Sequence, residues 1–226
     1  MPKKTEIYLE TGQKRVFAGA IEWPGWCRSG RDENSALEAL LEYAPRYARV
    51  LHAARLEFEP PTQASDLKVT ERLAGTSTTD FGAPDIAPGA DSCRVGPADL
   101  ENFRKLLAAF WKAFDAARSE AGGKELRKGP RGGGRDLDRI LQHVAGADRG
   151  YLGAMGWKLK LDEQTPAEVQ LEQTRTAILE GLEAAASGVL GTRGPRGGIY
   201  WPPRYFVRRH AWHVLDHAWE IEDRML

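Results

Sequence analysis

The second half of the chain repeats one pattern four times, and this pattern restricts the fold more than any other feature. Apolar residues recur three and four positions apart in four runs, which indicates four amphipathic helices. Proline opens or immediately precedes three of the runs, where its fixed φ and missing N–H favour a first helical turn. Helices of this length with shorter connections predict an up-down-up-down four-helix bundle over residues 97–226.

The first 60 residues follow a different pattern, which predicts a small αβ module. Residues 5–22 alternate between polar and apolar in two short runs, as in two strands joined by a tight turn. Helical spacing begins at Asn34. We expect Asn34 or Ser35 to cap this helix and Pro45 to kink or split it.

A segment rich in proline, glycine and threonine separates these two parts. It interrupts regular structure so often that only one strand, near residues 67–73, has room to form. The predicted domains are an αβ module over residues 1–60, a loop-rich connection over 61–96 and the bundle over 97–226. The predicted fold class is therefore α+β.

Composition and charge exclude several classes of protein. The chain carries 32 basic and 32 acidic side chains, so its net charge is zero and a nucleic-acid binder that works by bulk charge is not expected. No run approaches the roughly 20 apolar residues of a membrane helix, and the N-terminus lacks a signal-peptide core. The two cysteines, Cys27 and Cys93, have no metal-binding spacing. We therefore expect a cytoplasmic protein with no nucleic-acid or membrane partner.

Three of the five histidines lie on the last predicted helix. At about 100° per residue, His210, His213 and His217 fall within about 60° of one another, on one stripe of the helix. His213 and His217 are spaced i, i+4, which lets their two rings bind one divalent metal ion. The same spacing also occurs in ordinary core or surface histidines, so it does not establish a metal site alone.

A further histidine, His143, can reach the same level of the bundle. It lies eight residues beyond Arg135, where the second helix starts, and His213 lies at a similar distance beyond Pro203. At about 1.5 Å per residue, both are about 13 Å from the same end, provided that the two helices are neighbours. Buried imidazoles are costly unless a metal ion or hydrogen bonds satisfy them, so their convergence predicts a metal site.

Two stretches of the sequence resemble a known family. The stretch DLDRILQHVAGADRGY, from Asp136 to Tyr151, resembles the second helix of the DinB/YfiT-like superfamily. The stretch RHAWHVLDHAWEIE, from Arg209 to Glu222, is similar to its last helix. The resemblance covers about residues 97–226 and implies a four-helix bundle.

The same resemblance implies a cofactor and a class of reaction. It makes His143, His213 and His217 the ligands of a divalent transition metal, with zinc or nickel expected. Relatives are metal-dependent thiol transferases, isomerases and hydrolases, so the expected partners are a small-molecule substrate and a low-molecular-weight thiol. Many members of the superfamily have no known activity. Bundles of this class often dimerise, which leaves a homodimer open.

The ligand set also assigns roles to neighbouring residues. Three neutral imidazoles leave a coordination position open, as catalytic sites do, and the ion then lowers the pKa of a bound water or thiol. Glu220, three residues beyond His217, is the candidate catalytic group as a general base, with a role beside the ligands or a salt bridge to Arg224 as alternatives. His210 could replace His217 as a ligand or lie behind the site.

Aromatic and basic residues are candidates for a substrate pocket. Tyr151 could line a pocket for an aromatic substrate, although such residues more often belong to the core. The short repeat GPRGG occurs at 129–133 and at 194–198, and Arg196 and Arg204 could bind the carboxylates of a thiol cosubstrate. Solvated loop arginines are the commoner alternative.

The first 60 residues resemble the HicB antitoxin-type αβ module. The similar residues are the run VFAGAIEWPG at Val16–Gly25, then Gly30 and the helical run ALEAL at 36–40. No basic DNA-binding helix or ribbon follows, so the resemblance carries over the fold and not the antitoxin role.

The sequence is compatible with three functional hypotheses. The first is a metal-dependent thiol S-transferase or hydrolase. The second is a non-catalytic metal- or ligand-binding module whose αβ part recognises a partner. In the third, the histidines are polar core residues without a metal ion.

Overall fold

The computed structural model describes residues 4–128, 134–162 and 164–226, so the first copy of the GPRGG repeat lies outside the described residues. In those ranges the chain forms six helices and a four-stranded mixed sheet, which confirms the α+β class. The strands are β1 (Thr5–Thr11), β2 (Val16–Ala20), β3 (Cys27–Gly30) and β4 (Leu67–Ala74). The helices are α1 (Glu33–Ala53), α2 (Ser77–Phe81), α3 (Pro97–Glu120), α4 (Leu137–Met155), α5 (Ala167–Ala186) and α6 (Pro203–Arg224).

The chain divides into two compact units. The first comprises Met1–Cys93 together with Val207–Trp212, and the second comprises Arg94–Phe206 together with His213–Leu226. Helix α6 therefore contributes residues to both units. The segment from residue 61 to residue 93, expected to be a connection, carries β4 and α2 and belongs to the first unit.

The sheet of the first unit has the strand order β3-β2-β1-β4. β1 and β2 pair antiparallel through the predicted tight turn, where the Gly12 N–H donates to the Arg15 carbonyl over 2.9 Å. β4 pairs parallel to β1, which confirms the strand predicted near residues 67–73. The sequence does not predict β3, because its four residues, CRSG, show no alternation of apolar side chains.

Helix α1 begins earlier than its sequence predicts and continues past its proline. The cap is Asp32, whose carboxylate accepts the Ser35 N–H over 2.8 Å while Ser35 Oγ accepts the Asp32 N–H over 3.1 Å. Neither Asn34 nor Ser35 is the capping residue. Pro45 lies on the exposed side of a continuous helix, so the predicted split is wrong. The buried side of α1 packs on β2 and β3.

A buried ion pair joins the α6 segment Val207–Trp212 to the rest of the first unit. The Arg208 guanidinium binds both carboxylate oxygens of Asp91, over 2.7 and 2.8 Å, and donates to the carbonyls of Ala20 and Ile21. The side chains of Arg208 and Asp91 are only 8% and 3% exposed. Removing one partner of such a pair costs about 3–5 kcal/mol, because the other charge stays buried.

Helices α3, α4 and α5 and the remainder of α6 make up the second unit. Their bounds agree closely with the predicted runs, because prolines mark the starts of α3, α5 and α6. Asp136 caps α4 by accepting the Arg139 N–H over 2.8 Å. Helix α5 packs against both α3 and α4. Among the described residues, no helix combines the length and the apolar character that crossing a bilayer requires.

The two cysteines differ in burial, and this predicts different reactivity. Cys27 is buried beside Tyr8, whose hydroxyl donates to its sulfur over 3.7 Å, and burial raises the pKa of Cys27 to about 12. Cys93 is exposed. Since the thiolate is the reactive form, we expect iodoacetamide at mildly alkaline pH to modify Cys93 and to spare Cys27 in the native protein.

Peptide mass spectrometry of the labelled protein identifies the modified cysteine. The control is Cys93→Ser, which should take up label only after denaturation. Modification of Cys27 in the native protein at the rate of Cys93 would contradict the burial of this thiol.

Candidate metal centre

Three histidines meet in the second unit, one from α4 and two from α6. Ring nitrogens of His143, His213 and His217 all lie within 4.8 Å of one another. The Nε2 atoms of His143 and His213 are 3.1 Å apart. Two nitrogens on a tetrahedral zinc ion are about 3.3 Å apart, given zinc–nitrogen bonds of about 2.0–2.1 Å. The triad is therefore close enough to bind a metal ion.

The helices place the three rings so that they meet edge to face. His213 and His217 lie one turn apart on α6, with ring centroids 4.6 Å apart. His143 on α4 lies 5.0 Å from the His213 ring and 4.9 Å from the His217 ring. The interplanar angles are 63°, 82° and 87°. Rings in this arrangement can each direct one nitrogen toward a shared point, which parallel stacked rings cannot do.

Glu220 fixes the orientation of His217. The Nδ1 atom of His217 and Oε2 of Glu220 are 2.7 Å apart. An ionised carboxylate only accepts hydrogen bonds, so Nδ1 carries the proton and Nε2 is the nitrogen left to bind a metal ion. Carboxylates in this position orient metal-binding histidines and make them more basic. The contact therefore prepares His217 as a ligand.

Arg224 holds Glu220 in turn. Its Nη1 donates to Glu220 Oε1, while its Nε and Nη2 donate to the carbonyls of Arg127 and Arg135 over 2.9 and 2.8 Å. Gly134 leaves the space for this guanidinium, since a Cβ atom there would lie 2.6 Å from Arg224 Nη2. The φ of Gly134 is +128°, a conformation that L side chains rarely adopt. A single arginine thus links the carboxylate to chain segments before α4.

The protonation states of the site suit a cation. Burial lowers the pKa of His143 below its ordinary value, and the positive charge of Arg135 lowers it further, which favours the neutral imidazole. Burial acts to raise the pKa of Glu220, but its contacts with His217 and Arg224 outweigh burial and hold that pKa below the ordinary value. Neutral imidazole is the form that binds metal. Because both oxygens of Glu220 are engaged, its geometry favours positioning of His217 over the role of general base.

Aromatic side chains flank the triad beside His213. The ring of Tyr151 lies 5.6 Å from that of His213, and the ring of Trp201 lies 5.4 Å from that of Tyr151. Tyr205 packs edge to face against Trp201 at 4.9 Å. Tyr151 and Trp201 are half-buried. The pocket role of Tyr151 stays a prediction, with its ring now placed against a triad histidine.

The other predicted site residues are not part of the triad. His210 is fully buried, and in the part of the chain that the structure describes the ligand group contains His217 rather than His210. Arg204 binds Asp99 over 2.6 Å, at the start of α3. Arg196 is exposed in the loop before α6. The role of both arginines in binding a cosubstrate stays a prediction.

Sequence reasoning missed the basic residues around the start of α4. The sequence indicates Arg135 only as the residue where the second helix starts. In the structure its backbone carbonyl accepts a hydrogen bond from Arg224, and its positive charge lowers the pKa of His143. The sequence does carry a signal for this basic cluster, because lysines and arginines recur throughout residues 124–139. Acidic residues elsewhere cancel these charges in the total, so the net charge of zero conceals a local excess.

Comparison of the chain with protein-family models, with curated proteins and with solved structures gave no match. The geometry of the triad and its surroundings is therefore the basis for any functional conclusion.

The contact between Glu220 and His217 predicts a loss of metal affinity on removal of the carboxylate charge. We expect Glu220→Gln to bind zinc about 10–100-fold more weakly, because His217 loses its charged partner. Equilibrium competition against a chromophoric chelator measures the change. Glu222→Gln, an exposed carboxylate on the same helix, is the matched control. Equal affinities of the two variants would contradict the positioning role of Glu220.

Proposed function

We propose that this chain is a metal-dependent enzyme, a thiol S-transferase or a hydrolase, and that residues 97–226 form a DinB-like four-helix bundle. Four helices of 24, 19, 20 and 22 residues support the bundle, together with the packing of α5 against α3 and α4. The single histidine on α4 and the i, i+4 pair on α6 agree with the ligand pattern that the resemblance implies.

The observation that carries the proposal is the convergence of three histidine nitrogens. Among the described residues, the ligand group consists of His143, His213 and His217, all imidazole donors in a largely buried place. Three protein ligands leave a position for water or substrate, as catalytic zinc sites do. Zinc or nickel suits this set, because imidazole is a common ligand of both ions.

The residues of the chain around the triad have separate tasks. A divalent ion bound there supplies Lewis acidity, which generates a nucleophile from water or a thiol near neutral pH. Glu220 holds the proton on Nδ1 of His217 and thereby keeps Nε2 directed to the ligand position. Arg224 keeps Glu220 ionised and in place. Tyr151 and Trp201 offer aromatic surface beside His213 to an apolar part of a substrate.

An activity comparison of metal-loaded and metal-free protein tests this proposal. The protein is stripped with a chelator and reloaded with zinc or nickel. It is then assayed for conjugation of low-molecular-weight thiols to 1-chloro-2,4-dinitrobenzene and for cleavage of p-nitrophenyl esters. We expect turnover in one assay that requires the ion and is lost in His213→Gln.

The control variant is His52→Gln, which changes an exposed histidine bonded to the Phe58 carbonyl in the first unit. It should retain full activity. Metal bound at the triad without turnover above that of the free ion would contradict the enzymatic proposal and favour a non-catalytic metal- or ligand-binding module.

A further inference from the structure

A basic cavity lies at the start of α4 in the second unit. It has a volume of about 550 Å³ and is lined by the segment after α3, the first residues of α4 and the end of α6. Two acidic side chains, Glu125 and Asp136, line it. Among the residues that the structure describes, the basic side chains of the lining outnumber these by three: they are Lys124, Lys128, Arg135, Arg139 and Arg224.

The two acidic side chains offset the five basic ones of this lining only in part. Asp136 is engaged in capping α4, through the Arg139 N–H at 2.8 Å, and its other oxygen lies 3.6 Å from the Arg139 guanidinium. Lys124, Lys128 and Arg135 are exposed side chains around the same concavity. Basic groups of this kind raise the local concentration of anions. The N-terminus of a 19-residue helix adds its positive dipole end to the same place.

Two residues of the cavity also act on the histidine triad. Arg224 lines the cavity and donates to Glu220, which in turn binds His217. The backbone carbonyl of Arg135, another residue of the lining, accepts a hydrogen bond from the same Arg224 over 2.8 Å. A ligand that changes the charge around these arginines therefore changes the electrostatic potential at the triad.

We propose that this cavity binds an anionic group, a phosphate or a carboxylate, and that its occupancy is coupled to metal binding at the triad. Guanidinium and ammonium groups are the side chains that bind such oxyanions most strongly. An anion there offsets the positive charge of Arg135 and Arg224, and a cation at the triad attracts the anion. Each ligand should therefore tighten the binding of the other, by the same factor.

The anion site does not depend on the proposed enzymatic function, whereas the coupling depends on a metal ion at the triad. Calorimetric titration of metal-free protein with inorganic phosphate, and separately with succinate, tests the site at constant ionic strength. We expect saturable binding of at least one of them, and the tighter one assigns the group as phosphate or carboxylate. Absence of saturable binding by both would overturn the site.

Charge-removing variants locate the bound anion. Arg135→Gln and Lys124→Gln change exposed side chains and should weaken binding about tenfold each, because a charged hydrogen-bond donor is lost. Lys112→Gln removes another exposed lysine, on α3, and is the matched control. Equal weakening in the variants and in the control would show non-specific screening and would overturn the site.

The coupling is measured by titrating Co²⁺ with and without the tighter anion, after correction for Co²⁺ bound by the anion in a blank. We expect metal affinity to rise about fivefold or more. An unchanged affinity would overturn the coupling. His213→Gln separates the two proposals, since it should lose metal binding and keep anion binding in the metal-free state.

Discussion

Burial of a helix rich in polar side chains is the constraint on which the rest of this structure depends. Residues 205–215 of α6 are all buried, and this stretch includes charged and imidazole side chains. A buried polar group is costly unless it is paired. Arg208 meets this requirement through Asp91 and two backbone carbonyls within the first unit. His213 belongs to the triad of the second unit, where a cation would complete its coordination.

The triad is held by partners that extend away from it in sequence. His217 is oriented by Glu220, Glu220 is fixed by Arg224, and Arg224 donates to the carbonyl of Arg135 next to Gly134. Hydrogen-bond partners behind a metal-binding side chain determine whether its ligand atom is held in the orientation that binding requires. The same arginine lines the basic cavity, so the positioning of His217 and the proposed anion site share one side chain. This sharing is the physical basis for coupling between the two sites.

Much of this arrangement follows from local sequence rules, and the remainder does not. The starts of α3, α5 and α6 and the pairing of His213 with His217 were predictable, because proline placement and the i, i+4 spacing are local signals. The prediction that His143 joins this pair required in addition that its helix be a neighbour of the last one. The start of α1 was missed because the cap is Asp32, before both expected residues, Asn34 and Ser35, and it forms the capping box with Ser35. Strand β3 was missed because its residues show no alternation. The role of Arg224 toward Arg135 depends on contacts between residues far apart in the chain, which no local pattern records.

Metal stoichiometry and affinity test the central claim most directly. Chelator-stripped protein, without a histidine tag, is titrated with Co²⁺ against a chromophoric competitor, for the natural sequence and for His143→Gln, with His52→Gln as the control. The account predicts one ion per chain. The metal affinity should fall about 100-fold or more in His143→Gln and stay unchanged in His52→Gln, because His143 belongs to the triad and His52 does not. Absence of binding in the natural sequence, or equal affinity in all three proteins, would contradict it.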